Sequence, residues 1–246
     1  MDGILLVDKP KGWTSFDVVA KVRGIVKTEL RKTNPKLKNV KVGHTGTLDP
    51  SATGLLVLCI GKYTKKVEQM IRHDKTYEVE LTLGATSSTG DQEGVITQTL
   101  ELRSQSSEGH IPRSKIQDPS SETIDRVLQS FQGEQMQTPP AFSAIKVDGK
   151  RAYDLARAGK EVKLEPRKIT IHSIELTEFS YPTLKFICGV SSGTYIRSLA
   201  EDIGTKLGTS AYMSELRRTK VADFEIAEAL QVNDLNIESI TRCLKV

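Results

Sequence analysis

The spacing of apolar residues changes several times along the chain, and each change predicts an element. Ile4 to Val7 form a short apolar run that the turn Lys9-Pro10-Lys11-Gly12 ends, the pattern of a buried strand. Thr14 with Asp17 three residues later makes a capping box, after which Phe16, Val19, Val22, Arg23 and Val26 recur at helical spacing. A helix of about three turns ending near Lys27 is predicted, followed by a polar, lysine-rich stretch from Thr28 to Asn39 that Pro35 breaks, read as a mobile basic loop. Tyr77, Val79, Leu81 and Leu83 alternate with Glu78, Glu80 and Thr82, the period of a half-buried strand, and Gly84 closes it.

Farther on, residues 103–122 are dominated by Ser, Gln, Pro and charge and read as an exposed excursion, whereas Ile124, Val127, Leu128 and Phe131 ahead of Gly133 form the apolar stripe of a helix. Strands follow at Ile169 to Leu176 and at Leu184 to Val190, where Leu184, Phe186, Cys188 and Val190 share one face. Ile196, Leu199, Ala200, Ile203 and Leu207 then keep the 3.6-residue period, with Gly208 as the C-terminal stop. Strands and helices alternate irregularly, and neither GxGxxG nor GxxxxGK[ST] occurs. An α+β, enzyme-like architecture is therefore expected in place of a nucleotide-binding fold.

Composition narrows the class. With 246 residues, 37% hydrophobic and a net charge of +4, the chain has an ordinary globular balance. Its longest uncharged apolar run, Gly54 to Gly61, is far below the roughly 20 residues a membrane helix needs. Transmembrane, secreted and disordered classes drop out. The 3 cysteines form no CxxC pair and the 4 histidines show no ligand spacing, which argues against a disulfide scaffold or structural zinc and fits a reducing compartment. The charge is uneven: residues 1–75 carry 15 Lys and Arg against 7 Asp and Glu, net +8, while residues 76–246 carry 20 against 24, net −4. Such a basic third suits a polyanion whose counterions are released on binding, although a solvated helix face running into a loop explains the charge equally well.

Three segments carry candidate chemistry. In Gly43-His44-Thr45-Gly46-Thr47-Leu48-Asp49-Pro50-Ser51-Ala52-Thr53-Gly54, Pro50 biases Asp49 toward extended backbone while the glycines permit close approach, so one carboxylate is presented at the end of a turn. Read alone it is also an ordinary Asp-Pro turn before the apolar run Leu55 to Ile60. Gly193-Thr194-Tyr195-Ile196-Arg197 puts a phenol and a guanidinium two residues apart at a strand-to-helix junction, where the arginine can hold a carboxylate ionised. Lys75-Thr76-Tyr77 starts a strand with an aromatic able to stack on a base, or simply to fill the core.

Taken together these segments resemble the TruB pseudouridine synthases. The resemblance runs from Gly3-Ile-Leu-Leu-Val-Asp-Lys-Pro-Lys-Gly-Trp-Thr-Ser-Phe-Asp through Lys41-Val-Gly-His-Thr-Gly-Thr-Leu-Asp-Pro and Lys75-Thr-Tyr. It continues through Gln137-Thr-Pro-Pro-Ala-Phe-Ser-Ala-Ile-Lys and Gly193-Thr-Tyr-Ile-Arg to Leu216-Arg-Arg-Thr. It implies the pseudouridine synthase fold: a mixed, mainly antiparallel central sheet flanked by helices and loops, with the catalytic cleft across the sheet. The whole of residues 1–246 would be one catalytic domain with an RNA-contacting insertion around 122–165. The 23 residues from Phe224 to Val246 are too few for the C-terminal PUA domain of many relatives.

The implied activity is isomerisation of uridine 55 in the TΨC loop of tRNA. Asp49 matches the nucleophile, Tyr195 a candidate acid or base, and Arg197 the arginine paired with the aspartate. Tyr77 matches the aromatic stacked on the flipped base, His44 the residue near the vacated place, and Leu216 a wall of the uracil pocket. On its periodicity alone Leu216 reads as helix core. Asp91, in Thr86 to Gly94, is placed near the site by the same resemblance. Lys32, Lys36 and Lys38, in a stretch longer than is usual for the family, are expected to meet RNA phosphates. No metal or organic cofactor is implied, and the partner is tRNA alone, with no membrane and no obligatory protein partner, for a cytoplasmic monomer. A non-catalytic RNA-binding or RNA-folding protein of the same fold, or a synthase with another RNA target, is the alternative.

Overall fold

The computed structural model of the chain describes residues 1–99, 119–143, 145–147 and 149–246. Along it run β1 (Gly3–Lys9), α1 (Ser15–Thr33), β2 (Val42–His44), β3 (Thr53–Ile60), α2 (Val67–Ile71), β4 (Lys75–Leu83), β5 (Ala85–Ser87) and β6 (Ile96–Gln98). Then come α3 (Ser121–Gln129), β7 (Gly133–Gln137), β8 (Lys146–Val147), β9 (Lys150–Arg151), α4 (Ala152–Arg157), β10 (Arg167–Ser180) and β11 (Thr183–Val190). The chain closes with α5 (Ile196–Lys206), β12 (Ala211–Val221), β13 (Phe224–Glu225), β14 (Leu230–Gln231) and α6 (Ile237–Cys243). Two compact units result, Met1–Tyr77 with Leu216–Val246, and Glu78–Glu215.

In the first unit β3 is the central strand. Leu55 to Ile60 are all fully buried, so β3 is covered on both faces, which is why it reads as a continuous apolar run with no alternation. β1 pairs antiparallel with it over seven residues, from Gly3 opposite Ile60 to Lys9 opposite Gly54, and β2 pairs antiparallel along Val42 to His44. On one face Leu56, Leu58 and Ile60 pack with Leu5, Val7 and the α1 stripe Val18, Val19, Val22 and Val26; on the other Leu55, Val57 and Cys59 pack with Leu6, Met70 and Val221. Arg217 and Arg218 of β12 run parallel to Thr53 and Gly54, and the fit is so close that a Cβ on Gly54, at φ +103°, would collide with the Arg218 backbone.

The second unit carries β11, β10 and β7 paired antiparallel in that order. α3 lies on β10, where the Gln129 side chain donates to the Ile174 carbonyl at 2.9 Å. α5 buries one continuous face, Ile196, Leu199, Ala200 and Ile203, as its period predicts, and its chain turns at Gly208, φ +72°. Both units mix strands and helices, and most of the strand pairs are antiparallel, as an α+β fold requires.

Several boundaries differ from the expectation. α1 continues to Thr33, because Glu29, Leu30, Arg31 and Lys32 are strong helix formers and nothing breaks the ladder before Pro35 forces Asn34 out of helical geometry, φ −134° and ψ 82°. The loop proper is 34–39, and the half-buried Leu37 anchors it to the core while its carbonyl accepts from Arg31 Nε at 3.1 Å. Phe16 is not on the core stripe: the capping box at Thr14 sets the phase so that Ser15, Val18, Val19, Val22 and Val26 face inward. Leu216 lies in β12, a strand whose charged and polar residues hide the alternation, so its apparent helical period is accidental. β1 and β10 are longer than the apolar runs because main-chain pairing extends into polar residues. The excursion expected over 103–122 falls outside the described residues up to 118, and Ser121 already begins α3 with Ser120 as its cap.

α5 approaches the start of β12 with no room for a side chain at Gly204, where an added Cβ would lie 2.7 Å from the Ser210 carbonyl carbon and closer still to the Ala211 nitrogen. Gly204→Ala, despite its better helix propensity, is expected to lower the free energy of unfolding by roughly 1–3 kcal/mol through overpacking, read from urea denaturation; a neutral or stabilising result would mean that the backbone yields.

Candidate active site

Asp49 sits in the turn before β3, and its backbone is held from three directions within the first unit. The Ser15 hydroxyl, at the start of α1, donates to the Leu48 carbonyl at 3.1 Å and accepts the Leu48 N–H at 2.9 Å. On the other side, the Gly12 N–H donates to the Pro50 carbonyl at 2.8 Å. Lys9 Nζ, fully buried, donates to the carbonyls of Trp13 at 2.6 Å, Pro10 at 3.0 Å and Pro50 at 3.4 Å. The Ala52 N–H closes the turn on the Asp49 carbonyl at 3.1 Å.

Arg218 supplies the third hold. At 2% exposure, its Nε donates to the Leu55 carbonyl at 2.7 Å, Nη2 to Gly46 at 3.0 Å and Nη1 to Thr47 at 3.4 Å. The planar fork thus ties the Gly46-Thr47 segment to the first residues of β3, a geometry a lysine could not reproduce. His44 ends β2, and its Nδ1 accepts the Gly46 N–H at 3.4 Å. Burial first, and then the Arg218 charge, push its pKa below the usual histidine value, so the imidazole is neutral at pH 7.

Tyr77 is buried in β4, two residues after Lys75. Lys75 Nζ donates to the carbonyl of Ile71 at 2.6 Å and to that of His73. Desolvation, with the Arg218 charge adding to it and Asp74 opposing, lowers its pKa to about 8. Leu216 is half-buried in β12, and its carbonyl accepts from the Thr53 hydroxyl at 3.4 Å. The first unit therefore carries Asp49, His44, Tyr77 and Leu216 on elements that share Arg218 and the turn it clamps.

The second unit carries Asp91, Tyr195 and Arg197. Arg197 lies in the first turn of α5, 7% exposed, with its Nε 3.6 Å from the Asp91 carboxylate. Its Nη1 donates to the Thr89 carbonyl at 3.1 Å and Nη2 to that of Phe142 at 2.9 Å. Asp91 is itself fixed: Oδ1 accepts from the Thr89 hydroxyl at 2.6 Å and from the Glu93 N–H at 3.0 Å. A buried guanidinium with this many partners is held in one orientation. Tyr195 caps α5, and the buried Gln137 clamps its main chain, donating to the Tyr195 carbonyl at 3.0 Å and accepting its N–H at 2.8 Å.

Gln137, Ser15, Lys9 and Arg218 escaped the sequence reading as site residues. Ser15 and Lys9 read there as a helix start and a turn, and only the fold brings their partners, 33 and 41 residues away, into reach. Lys32, Lys36 and Lys38 are all exposed, Lys32 on the last turn of α1 in an ion pair with Glu29 at 2.6 Å and the other two in the 34–39 loop.

Against known proteins, residues 32–196 match the family described as TruB family pseudouridylate synthase, N-terminal domain, and residues 197–241 match the tRNA pseudouridylate synthase B C-terminal domain. The chain belongs to the TruB family. Within this family of tRNA pseudouridine synthases, the relative from Clostridium kluyveri, named tRNA pseudouridine synthase B, is 43% identical over 98% of this chain and 75% of its own length. Its namesake from Bacteroides fragilis is 44% identical over 92% of this chain and 89% of its own. Among solved structures, a Cbf5-Nop10-Gar1 complex contains a chain 30% identical with a TM-score of 0.64, over 95% of this chain and 53% of that one. An H/ACA RNP bound to a substrate RNA containing 2′-deoxyuridine gives 29%, 0.61, 95% and 52%. The chain thus spans about half the length of these solved chains, and they share its fold. Among its described residues, no helix is long and apolar enough to cross a membrane.

The buried Lys75 makes stability depend on pH. Unfolded, it titrates near the ordinary lysine value of 10.5, and folded at about 8, so between those values the unfolded chain holds a proton the folded one lacks, and stability rises with pH. Relative to Lys75→Met, which lacks the titration, the wild type should gain on the order of 2–3 kcal/mol between pH 7.5 and 10.5 in urea denaturation. A difference that stays flat or falls over this range would overturn the assignment of a strongly depressed lysine.

Proposed function

We propose that this TruB-family enzyme isomerises uridine 55 in the TΨC loop of tRNA to pseudouridine, with Asp49 as the nucleophile. The observation that carries the reading is the clamped turn: Ser15, Lys9 and Arg218 hold the backbone on both sides of Asp49, and so fix the place from which its carboxylate projects. Positioning of this kind is what a difficult attack on a nucleoside needs. The uracil, once detached, is rotated and rejoined through carbon. Tyr77 stacks on the flipped base and Leu216 lines its pocket, while His44 lies where the nucleotide was vacated. Arg197, oriented by Asp91, is the arginine that pairs with the aspartate, and Tyr195 is the acid or base. Flipping costs a few kcal/mol of lost stacking, which an aromatic platform and phosphate contacts can offset.

The substrate assignment is supported by the names of the relatives and by the excess charge of residues 1–75, net +8. The RNA-facing parts on this reading are the basic stretch around α1 and the segment 122–165. The enzyme works in the cytoplasm as a monomer, without an obligatory protein partner.

Incubated with an unmodified tRNA transcript, the protein should give one carbodiimide-dependent primer-extension stop, at position 55. Asp49→Asn should abolish the stop and leave tRNA binding largely intact, since the basic surface remains; turnover within tenfold of wild type would sink the nucleophile assignment. Replacing Lys32, Lys36 and Lys38 together by Ser should weaken binding and flatten the dependence of log K on log[salt] by up to roughly two to three units, at about 0.7–0.9 per phosphate. An unchanged slope would mark these lysines as a solvated surface.

A further inference from the structure

Phe16 is 63% exposed, the most exposed aromatic among the described residues, in a chain in which only 5% of residues are aromatic. Its exposure is built in. The capping box of Thr14 and Asp17 fixes where α1 begins, and with it the phase that turns Val18, Val19, Val22 and Val26 to the core and Phe16 away from it.

The face of α1 that follows at helical spacing is Phe16, Ala20, Arg23 and Lys27, in which the small Ala20 leaves the ring open toward two cations. The Arg23 guanidinium lies 5.7 Å from the Phe16 ring centroid, and Lys21 Nζ lies 5.6 Å from that of the half-buried Trp13. Arg23 is held in place by its hydrogen bond to the Val42 carbonyl at 3.1 Å. An exposed phenyl beside a fixed guanidinium, on a helix that also carries Lys27, Arg31 and Lys32 outward, has the two components that hold a nucleic-acid strand: a π-face for a base and cations for the flanking phosphates. Phe16 directly follows Ser15, which makes two hydrogen bonds to the main chain of Leu48, the residue before Asp49.

We propose that Phe16 is a stacking platform for a nucleobase flanking the target uridine, with Arg23 fixed beside it, and that it sets substrate affinity without touching the reacting atoms. This rests on the tRNA reading above. The occupant is RNA because the ring is set among cations; an apolar protein surface would leave those charges desolvated and unpaired.

The test compares Phe16→Ala with Phe16→Trp in single-nucleotide pseudouridylation kinetics and in tRNA binding across a salt series. Phe16→Ala should raise KM about tenfold, as loss of one stacked base does, with kcat within twofold of wild type. It should weaken binding equally at every salt concentration, leaving the salt slope unchanged, because stacking releases no counterions. Phe16→Trp should restore KM, and the thermal midpoint of both variants should match wild type, since the ring contributes little burial. An unchanged KM in Phe16→Ala overturns the proposal, as does a loss that Phe16→Trp fails to rescue. A changed sedimentation profile with unchanged KM also overturns it and marks the face as a contact between copies. Wild-type turnover on tRNA in the same assay separates these outcomes from failure of the tRNA reading, in which the wild type itself would be inactive.

Discussion

Buried cations whose hydrogen bonds end on backbone carbonyls constrain the first unit more than any other interaction. Arg218 gathers the carbonyls of Gly46, Thr47 and Leu55, and Lys9 those of Pro10, Trp13 and Pro50. A buried charge is tolerated only where its donors are met, and buried carbonyls only where a donor reaches them. Each requirement therefore fixes the other. The turn carrying Asp49 cannot relax without orphaning either a guanidinium or an ammonium, and this rigidity is what the carboxylate inherits.

The same reasoning accounts for the environment of the neighbouring groups. Arg218 adds its charge to the desolvation of His44 and Lys75, and both pKa values fall. A buried imidazolium beside the Arg218 charge would demand its own counter-charge, and the depressed pKa of His44 avoids that cost. In the second unit the arrangement is inverted: Arg197 is met by the carboxylate of Asp91 as well as by the Thr89 and Phe142 carbonyls. There the cation is held ready in a defined orientation, and Gln137 does for the Tyr195 main chain what Ser15 does for Leu48. Each unit thus has a junction segment whose main chain a bidentate polar side chain secures, Ser15 on Leu48 and Gln137 on Tyr195, and in the first unit Lys9 and Arg218 add to that hold.

α1 links this chemistry to the charge pattern of the chain. Its inner face is apolar and joins the core, its first residue anchors the Asp49 turn, and its outer face carries Phe16 and the basic residues. One helix therefore couples packing, the geometry of the Asp49 turn and the electrostatic surface. The unexpected length of that helix matters for this reason, because it places Lys32 on the same rigid rod as Phe16 and leaves only Lys36 and Lys38 to the loop.

What the linear sequence determined by itself was the set of elements with strong periods, such as α5 and β4, and the residues of the Gly43–Gly54, Lys75–Tyr77 and Gly193–Arg197 segments, whose turn chemistry and order are local properties. The family followed from those segments. Local period could not reveal β12, because its inward residues include Arg218, and a buried arginine reads in sequence as a surface one. Nor could it reveal that Phe16 faces solvent, since a stripe of Phe16, Val19, Val22 and Val26 and one of Val18, Val19, Val22 and Val26 hold the same number of apolar residues, and only packing against Leu56, Leu58 and Ile60 decides which side turns inward. Ser15, Lys9 and Gln137 became positioning residues for the same physical reason: a hydrogen bond across 33, 41 or 58 residues exists only once the fold has closed the loop between its partners.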